Sequence, residues 1–129
     1  MDIGIKGSAE TLVCDRNTAK FAGSGSLEVF STPSMIALME QAAQSSVAPF
    51  LEDGQGTVGT KIEITHDAAT PVGMKVWAES LLTDIDRRRL VFEVKAYDEC
   101  GLIGQGRHER FIIKNDSFLE KANAKAVRK

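Results

Sequence analysis

Once, near its middle, the sequence changes from a helical repeat of apolar residues to an alternating one. Met35, Ile36, Leu38, Met39, Ala42, Ala43, Val47 and Phe50 recur at three- and four-residue spacing, which gathers them on one side of a helix that must be buried. Thr32 followed by Pro33 predicts the helix start: a Thr hydroxyl can accept from the first free amides, and Pro loses no hydrogen bond at the first helical position. Glu52, Asp53 and Gly54 predict its end, just beyond Phe50. After Gly56 the period becomes two, with Val58, Ile62 and Ile64 on one parity and Lys61, Glu63 and Thr65 on the other. Three further strands are predicted, Met74 to Ile85, Leu90 to Tyr97 and Leu102 to Ile113. The connections between them, around Asp86 and Arg87 and around Glu99 to Gly101, are short and polar, so neighbours should be antiparallel.

One long apolar helix and a run of antiparallel strands make an α+β pattern in which a single sheet has to cover the helix. An antiparallel sheet wrapped around one long central helix meets that demand. Before the helix, Thr11 to Cys14 is β-like and AGSGSLEVF reads as loop or short edge strand. A chain of 129 residues accommodates one domain, spanning 1–129. From Asn115 onward Phe118, Leu119 and Val127 are scattered among Lys and Ala, so residues 115–129 should form a tail or a short surface helix.

Charge narrows the function. Sixteen Lys and Arg against eighteen Asp and Glu give a net charge of -2, which provides no broad positive field for nucleic acid or an anionic membrane. No apolar run approaches the roughly 20 residues that span a bilayer, and MDIGIKGSAE lacks an apolar signal core, so a cytoplasmic protein is expected. Cys14 and Cys100 lie far apart without a CxxC spacing, which suggests reduced thiols and neither a zinc site nor a redox pair.

Few residues remain for chemistry. Thr32 is explained as a helix cap, yet the same hydroxyl lies beside the free amides and positive dipole end where a carbonyl oxygen or anion is stabilised. Glu40 lies at the margin of the apolar stripe, where a carboxylate can be partly buried and serve as base or nucleophile, or simply be a solvated helix glutamate. His66 ends the first strand on the parity of Ile62 and Ile64, so its ring should face the helix, either as a hydrogen-bonded core residue or as a proton carrier. His108, in RHER, is expected at the surface or an interface. Gly56 and Gly59, and likewise Gly104 and Gly106, fit either a bulge or a close ligand approach. Arg110 could hold an anion or pair with a neighbouring acid. The DRRR segment from Asp86 to Arg89 reads as a solvated hairpin tip, with weak contact to a ligand's phosphates as the alternative.

Three segments, VFSTPSMIALMEQAA, GQGTVGTKIEITHDAATPVGM and DECGLIGQGRHERFII, resemble the fluoroacetyl-CoA thioesterase branch of the hotdog superfamily, from about Val29 to Ile113. The Thr-Pro at the helix start, the Glu eight residues on, the Gly before the His strand and the final Arg occur in order and at matching spacing. The resemblance implies a hotdog fold and hydrolysis of a short-chain or small acyl-CoA thioester to free acid and CoA, with CoA belonging to the substrate and no cofactor or metal needed. It implies a homodimer, with tetramers as a further assembly. It also implies a catalytic set of Thr32, Glu40 and His66, with the Gly59 amide on the oxyanion and Arg110 near the acyl or CoA end. An acyl-CoA hydratase or dehydratase, or a non-catalytic acyl-CoA binding module, are the alternatives on the same fold. The likeness departs before the helix: the fluoroacetyl-specific enzyme carries an aromatic lid there, whereas AKFAGSGSLEV offers only Phe21.

Helix geometry adds a constraint of its own. Eight residues separate the backbones of Thr32 and Glu40 by about 12 Å along the axis, too far for both to reach one thioester carbonyl easily. Thr32 and Glu40 of one site are therefore expected to come from different subunits.

Overall fold

Residues 1–127 are described by the structure, a computed structural model. Along them run β1 (Lys6–Leu12), α1 (Ala19–Ala22), α2 (Thr32–Val47), β2 (Gln55–His66), β3 (Lys75–Asp86), β4 (Arg89–Asp98), β5 (Gly101–Lys114) and α3 (Asn115–Val127). The strands form one antiparallel sheet in the order β1-β3-β4-β5-β2. The sheet curves around α2, and the long-helix-in-sheet architecture expected from the pattern is what forms. Among the described residues no helix is long and apolar enough to cross a membrane.

The core lies between α2 and the concave face. Met35, Leu38, Met39, Ala42, Ala43 and Val47 of the helix are buried against Val76, Ala78 and Leu82 of β3, Leu90, Phe92, Val94 and Ala96 of β4, and Ile103 of β5. Each large side chain among these contributes about 1.5–3 kcal/mol by leaving water. The α-helix stops at Val47 and tightens into a 3-10 turn, Ala48–Phe50. Pro49 explains the stop, since it brings no amide to continue the i to i−4 ladder.

The start of α2 differs from the expectation. Ser31, not Thr32, is the N-cap: its Oγ accepts from the Ser34 amide at 3.1 Å, and Ser31 keeps an extended backbone. Thr32 occupies the first helical position instead, which frees its hydroxyl from capping. The first strand also differs, since it is Lys6–Leu12 and not Thr11 to Cys14. Its helix-facing residues are small. A Cβ at Gly7 would collide with the Ala42 carbonyl, the Ser46 side chain and Ser80 Oγ, so α2 lies close against this strand only because position 7 is glycine.

Strand β2 carries a bulge. Its pairing with β5 shifts between Gly59 and Lys61, which reverses the parity along the strand. Ile62 and Ile64 pack against the core as expected, but Val58 does not share their face. Before the bulge it is Thr57 and Gly59 that point inward, toward Arg110 and Glu40. Helix α3 has no buried side chain.

Candidate active site

Freed from the cap, the Thr32 hydroxyl meets the end of β2. Its Oγ1 lies 2.7 Å from His66 Nδ1, a short bond that Thr32 donates when the ring proton is on Nε2 and that the ring donates in the other tautomer. His66 is half-buried, and its Nε2 is enclosed without a hydrogen-bond partner. Desolvation pulls the imidazole below its ordinary pKa of 6.5, outweighing the opposite effects of the Asp67 carboxylate and the Ala68 backbone. The ring is therefore neutral near pH 7 and free to accept a proton. Thr32 itself is exposed.

A second cluster is built two turns along α2 and on the far side of the bulge. Glu40 is half-exposed, and a Cβ at Gly59 would fall 2.8 Å from its Oε2, so the carboxylate sits directly over the glycine. Beneath it lies Arg110, only 6% exposed, with Nη1 3.8 Å from Glu40 Oε2. The guanidinium is tied down on its other sides. Nε donates to Thr57 Oγ1 at 2.8 Å, Nη2 donates to the Thr57 carbonyl at 2.8 Å, and Nη1 donates to His108 Nε2 at 3.2 Å. Burial lowers the pKa of Arg110, with the Glu40 carboxylate acting in the opposite sense.

His108 is thus not a surface residue, as the charged run around it suggested, but 1% exposed. Its Nδ1 bonds the Lys61 carbonyl at 2.8 Å. A readable signal was present: His108 has the parity of Gly104, Gly106 and Arg110, so it had to share their face. Charged neighbours at Arg107 and Glu109 masked it.

The sequence's candidates therefore fall into two groups. Thr32 and His66 are in contact, and so are Glu40, Gly59 and Arg110, but a single chain does not unite the groups. From Gly59 to His66 β2 covers seven residue steps, about 20 Å with the bulge, and Thr32 and Glu40 are separated along α2 as the helix rise requires. Gly104 and Gly106 are packing glycines: a Cβ at 104 would meet Met35 at 2.8 Å, and one at 106 would strike the Ile64 and Glu63 backbone. Gly56 likewise accommodates Asn115, whose Oδ1 would lie 2.5 Å from an added Cβ. The tip at Arg87 and Arg88 is an exposed turn, with Arg87 at φ 59 and Arg88 stacked over Phe111. Among the described residues no three His, Cys, Asp or Glu side chains are placed to hold a metal ion.

Comparison with known proteins adds to this geometry. A family model described as fluoroacetyl-CoA-specific thioesterase matches residues 13–116. The fluoroacetyl-CoA thioesterase of Streptantibioticus cattleyicolor is 46% identical over 102 residues, covering 79% of this chain and 70% of that protein. A solved structure of the fluoroacetyl-CoA thioesterase FlK superposes with a TM-score of 0.91 at 36% identity, over 97% of both chains. A thioesterase superfamily member from Thermus thermophilus superposes at 0.87 with 31% identity, over 97% of this chain and 92% of that one. At 24% identity, a hot-dog-like protein from Thermanaerovibrio acidaminovorans shares the fold, with a TM-score of 0.87 over 100% of this chain and 95% of its own.

Proposed function

The chain belongs to the fluoroacetyl-CoA-specific thioesterase family and is an acyl-CoA thioester hydrolase, and from that premise we propose that Thr32 and His66 of one copy work with Glu40, Gly59 and Arg110 of a second. The observation that carries the proposal is the division itself: the family's chemical residues form two half-sites at different levels of the same helix and strand. β2, which holds residues of both, is an edge strand with one side unpaired within its own sheet. A two-fold axis beside the middle of β2 would bring each half-site of one copy toward the other half-site of its partner, since an isologous contact that sets residue i against j also sets j against i.

In such a site the thioester carbonyl lies between the amide end of α2 and Gly59. Charge develops on its oxygen as water adds to the carbonyl carbon, and preorganised amides stabilise that charge. Glu40, held by Arg110, takes the proton of the attacking water, or attacks the carbonyl itself to give, as the thiolate leaves, an anhydride that water then hydrolyses to the acid and free Glu40. His66 relays a proton to the departing sulfur as the C–S bond breaks, and Thr32 fixes the ring. Acid and free CoA result. Arg110 acts through Glu40 in this scheme, since it is buried, three of its five N–H donors are engaged by Thr57 and His108, and Nη1 faces the Glu40 carboxylate.

In the single chain the segment before α2 forms no aromatic cover. Phe21 is 67% exposed, and the residues from Gly23 to Glu28 are exposed as well. With no aromatic cover formed by this segment, small acyl groups beyond fluoroacetyl should be accepted. The free thiols of Cys14 and Cys100 suit a reducing cytoplasm.

Mixing a Thr32→Ala chain with a Glu40→Ala chain tests the shared site. Random pairing of two inactive chains restores about a quarter of wild-type activity if each site draws on both copies; recovery no greater than the parent variants rejects it. The reaction is checked by thiol release across acetyl-, fluoroacetyl-, phenylacetyl- and medium-chain acyl-CoA, with saturable binding but no release counting against hydrolysis.

A further inference from the structure

We propose that His108 is a positioning residue of this site, locking the Arg110 guanidinium in the one orientation that holds the Glu40 carboxylate over Gly59. The proposal rests on the functional reading above, since it gives His108 a task in the same reaction.

Three observations carry it. The first is the tautomer. A carbonyl only accepts, so the 2.8 Å contact with the Lys61 oxygen requires the ring proton on Nδ1. Nε2 is then a lone pair, and Arg110 Nη1 donates to it at 3.2 Å. The second is the accounting of Arg110 donors. Thr57 takes one N–H from Nε and one from Nη2, and His108 takes one from Nη1. These fix the plane of the fork. Nη1 keeps a second hydrogen, and this is the nitrogen lying 3.8 Å from Glu40 Oε2. The third is enclosure. His108 is 1% exposed, stacks on Phe92 with centroids 6.2 Å apart, and its Cε1 would lie 3.2 Å from a Cβ at Gly59. The ring is thus shielded from bulk solvent.

A protonated ring could not fill this place, because both imidazole nitrogens would then be donors and Nε2–H would oppose an Arg110 N–H. The charged groups around it are Arg110 and Glu109 on β5 and Glu40 on α2; β2 contributes the Lys61 carbonyl and β4 the Phe92 ring. Burial and Arg110 both lower the His108 pKa, in keeping with a neutral ring.

Two amide substitutions separate the roles of the two nitrogens. His108→Gln places an oxygen near the Nε2 position and keeps the acceptor for Arg110, whereas His108→Asn keeps a donor for the Lys61 carbonyl and loses that acceptor. With the acyl-CoA that the wild type turns over best, His108→Asn should lower kcat about tenfold with KM changed less than about twofold, and His108→Gln should recover most of the loss. In an Arg110→Gln background His108→Asn should cost less than about twofold more, because the contact it removes is already gone. Equal losses in the two backgrounds, or equal losses in Asn and Gln variants, overturn the proposal. A second readout needs no turnover. The Arg110 guanidinium signals in 15N NMR spectra should be resolved in wild type and His108→Gln and averaged by rotation in His108→Asn. If the wild type releases no thiol, the functional reading fails while this readout still decides the role of His108. Should His108→Asn not fold, the 15N shifts of the natural ring at pH 7.5 decide, and an Nε2–H tautomer rejects the proposal.

Discussion

At the scale of single residues, burial biases the protonation of both histidines. His66 and His108 both have pKa values lowered mainly by desolvation, so the folded protein binds their protons less readily than the unfolded chain. Stability from these rings is complete above the unfolded value near 6.5 and is lost as pH falls through the lower folded values. Thermal melting should therefore drop between pH 7.5 and 5.5, and His66→Asn should reduce the drop. The same shift favours the basic form of His66 in the free enzyme, so the acid limb of kcat/KM governed by this ring should have its midpoint under 6.5. A midpoint above 6.5 would contradict a desolvated base. Glu40→Gln and His66→Ala should each lower turnover by about two to four orders of magnitude, as loss of a proton carrier or charge stabiliser does; losses below about fivefold in both would remove them from the mechanism. Glu40 and His66 were legible in the sequence because their parity and helix position are local properties. His108 was obscured because its neighbours 107 and 109 face the other way and carry charge.

Elements obey the same division between local and non-local causes. The α2 stripe and the strands after Gly56 were legible because each buries large apolar residues at its own period. β1 was not, because its inward residues, Gly7, Ala9 and Thr11, are small, and what selects them is the proximity of α2 and Ser80. The β2 bulge was hidden for a related reason: it inserts one residue without changing composition, yet it turns Thr57 and Gly59 inward toward Arg110 and Glu40. The α2 cap can be tested by substitution. Ser31→Ala removes the oxygen that accepts from Ser34, and should cost about 1 kcal/mol and several degrees of melting temperature. Thr32→Ala removes no capping bond, so it should change melting much less while lowering turnover. The opposite ranking in paired melts and thiol-release assays would return Thr32 to the role of a cap.

On the scale of the whole molecule, α2 and β2 hold the Thr32–His66 contact apart from the Glu40–Arg110 contact within one chain. Uniting them within one chain would require bending a helix that is packed against β1, β3 and β4, whereas pairing two copies along the exposed side of β2 leaves each core intact. Activity should then follow the dimer and not the chain. Specific turnover, measured as thiol released per chain, should be constant at high concentration and fall on dilution below the dissociation constant of the pair, with melting temperature falling over the same range. A chain that sediments as a monomer and keeps full specific turnover at every dilution would show that α2 and β2 supply one complete site by themselves, and the division between Thr32–His66 and Glu40–Arg110 would then need another cause.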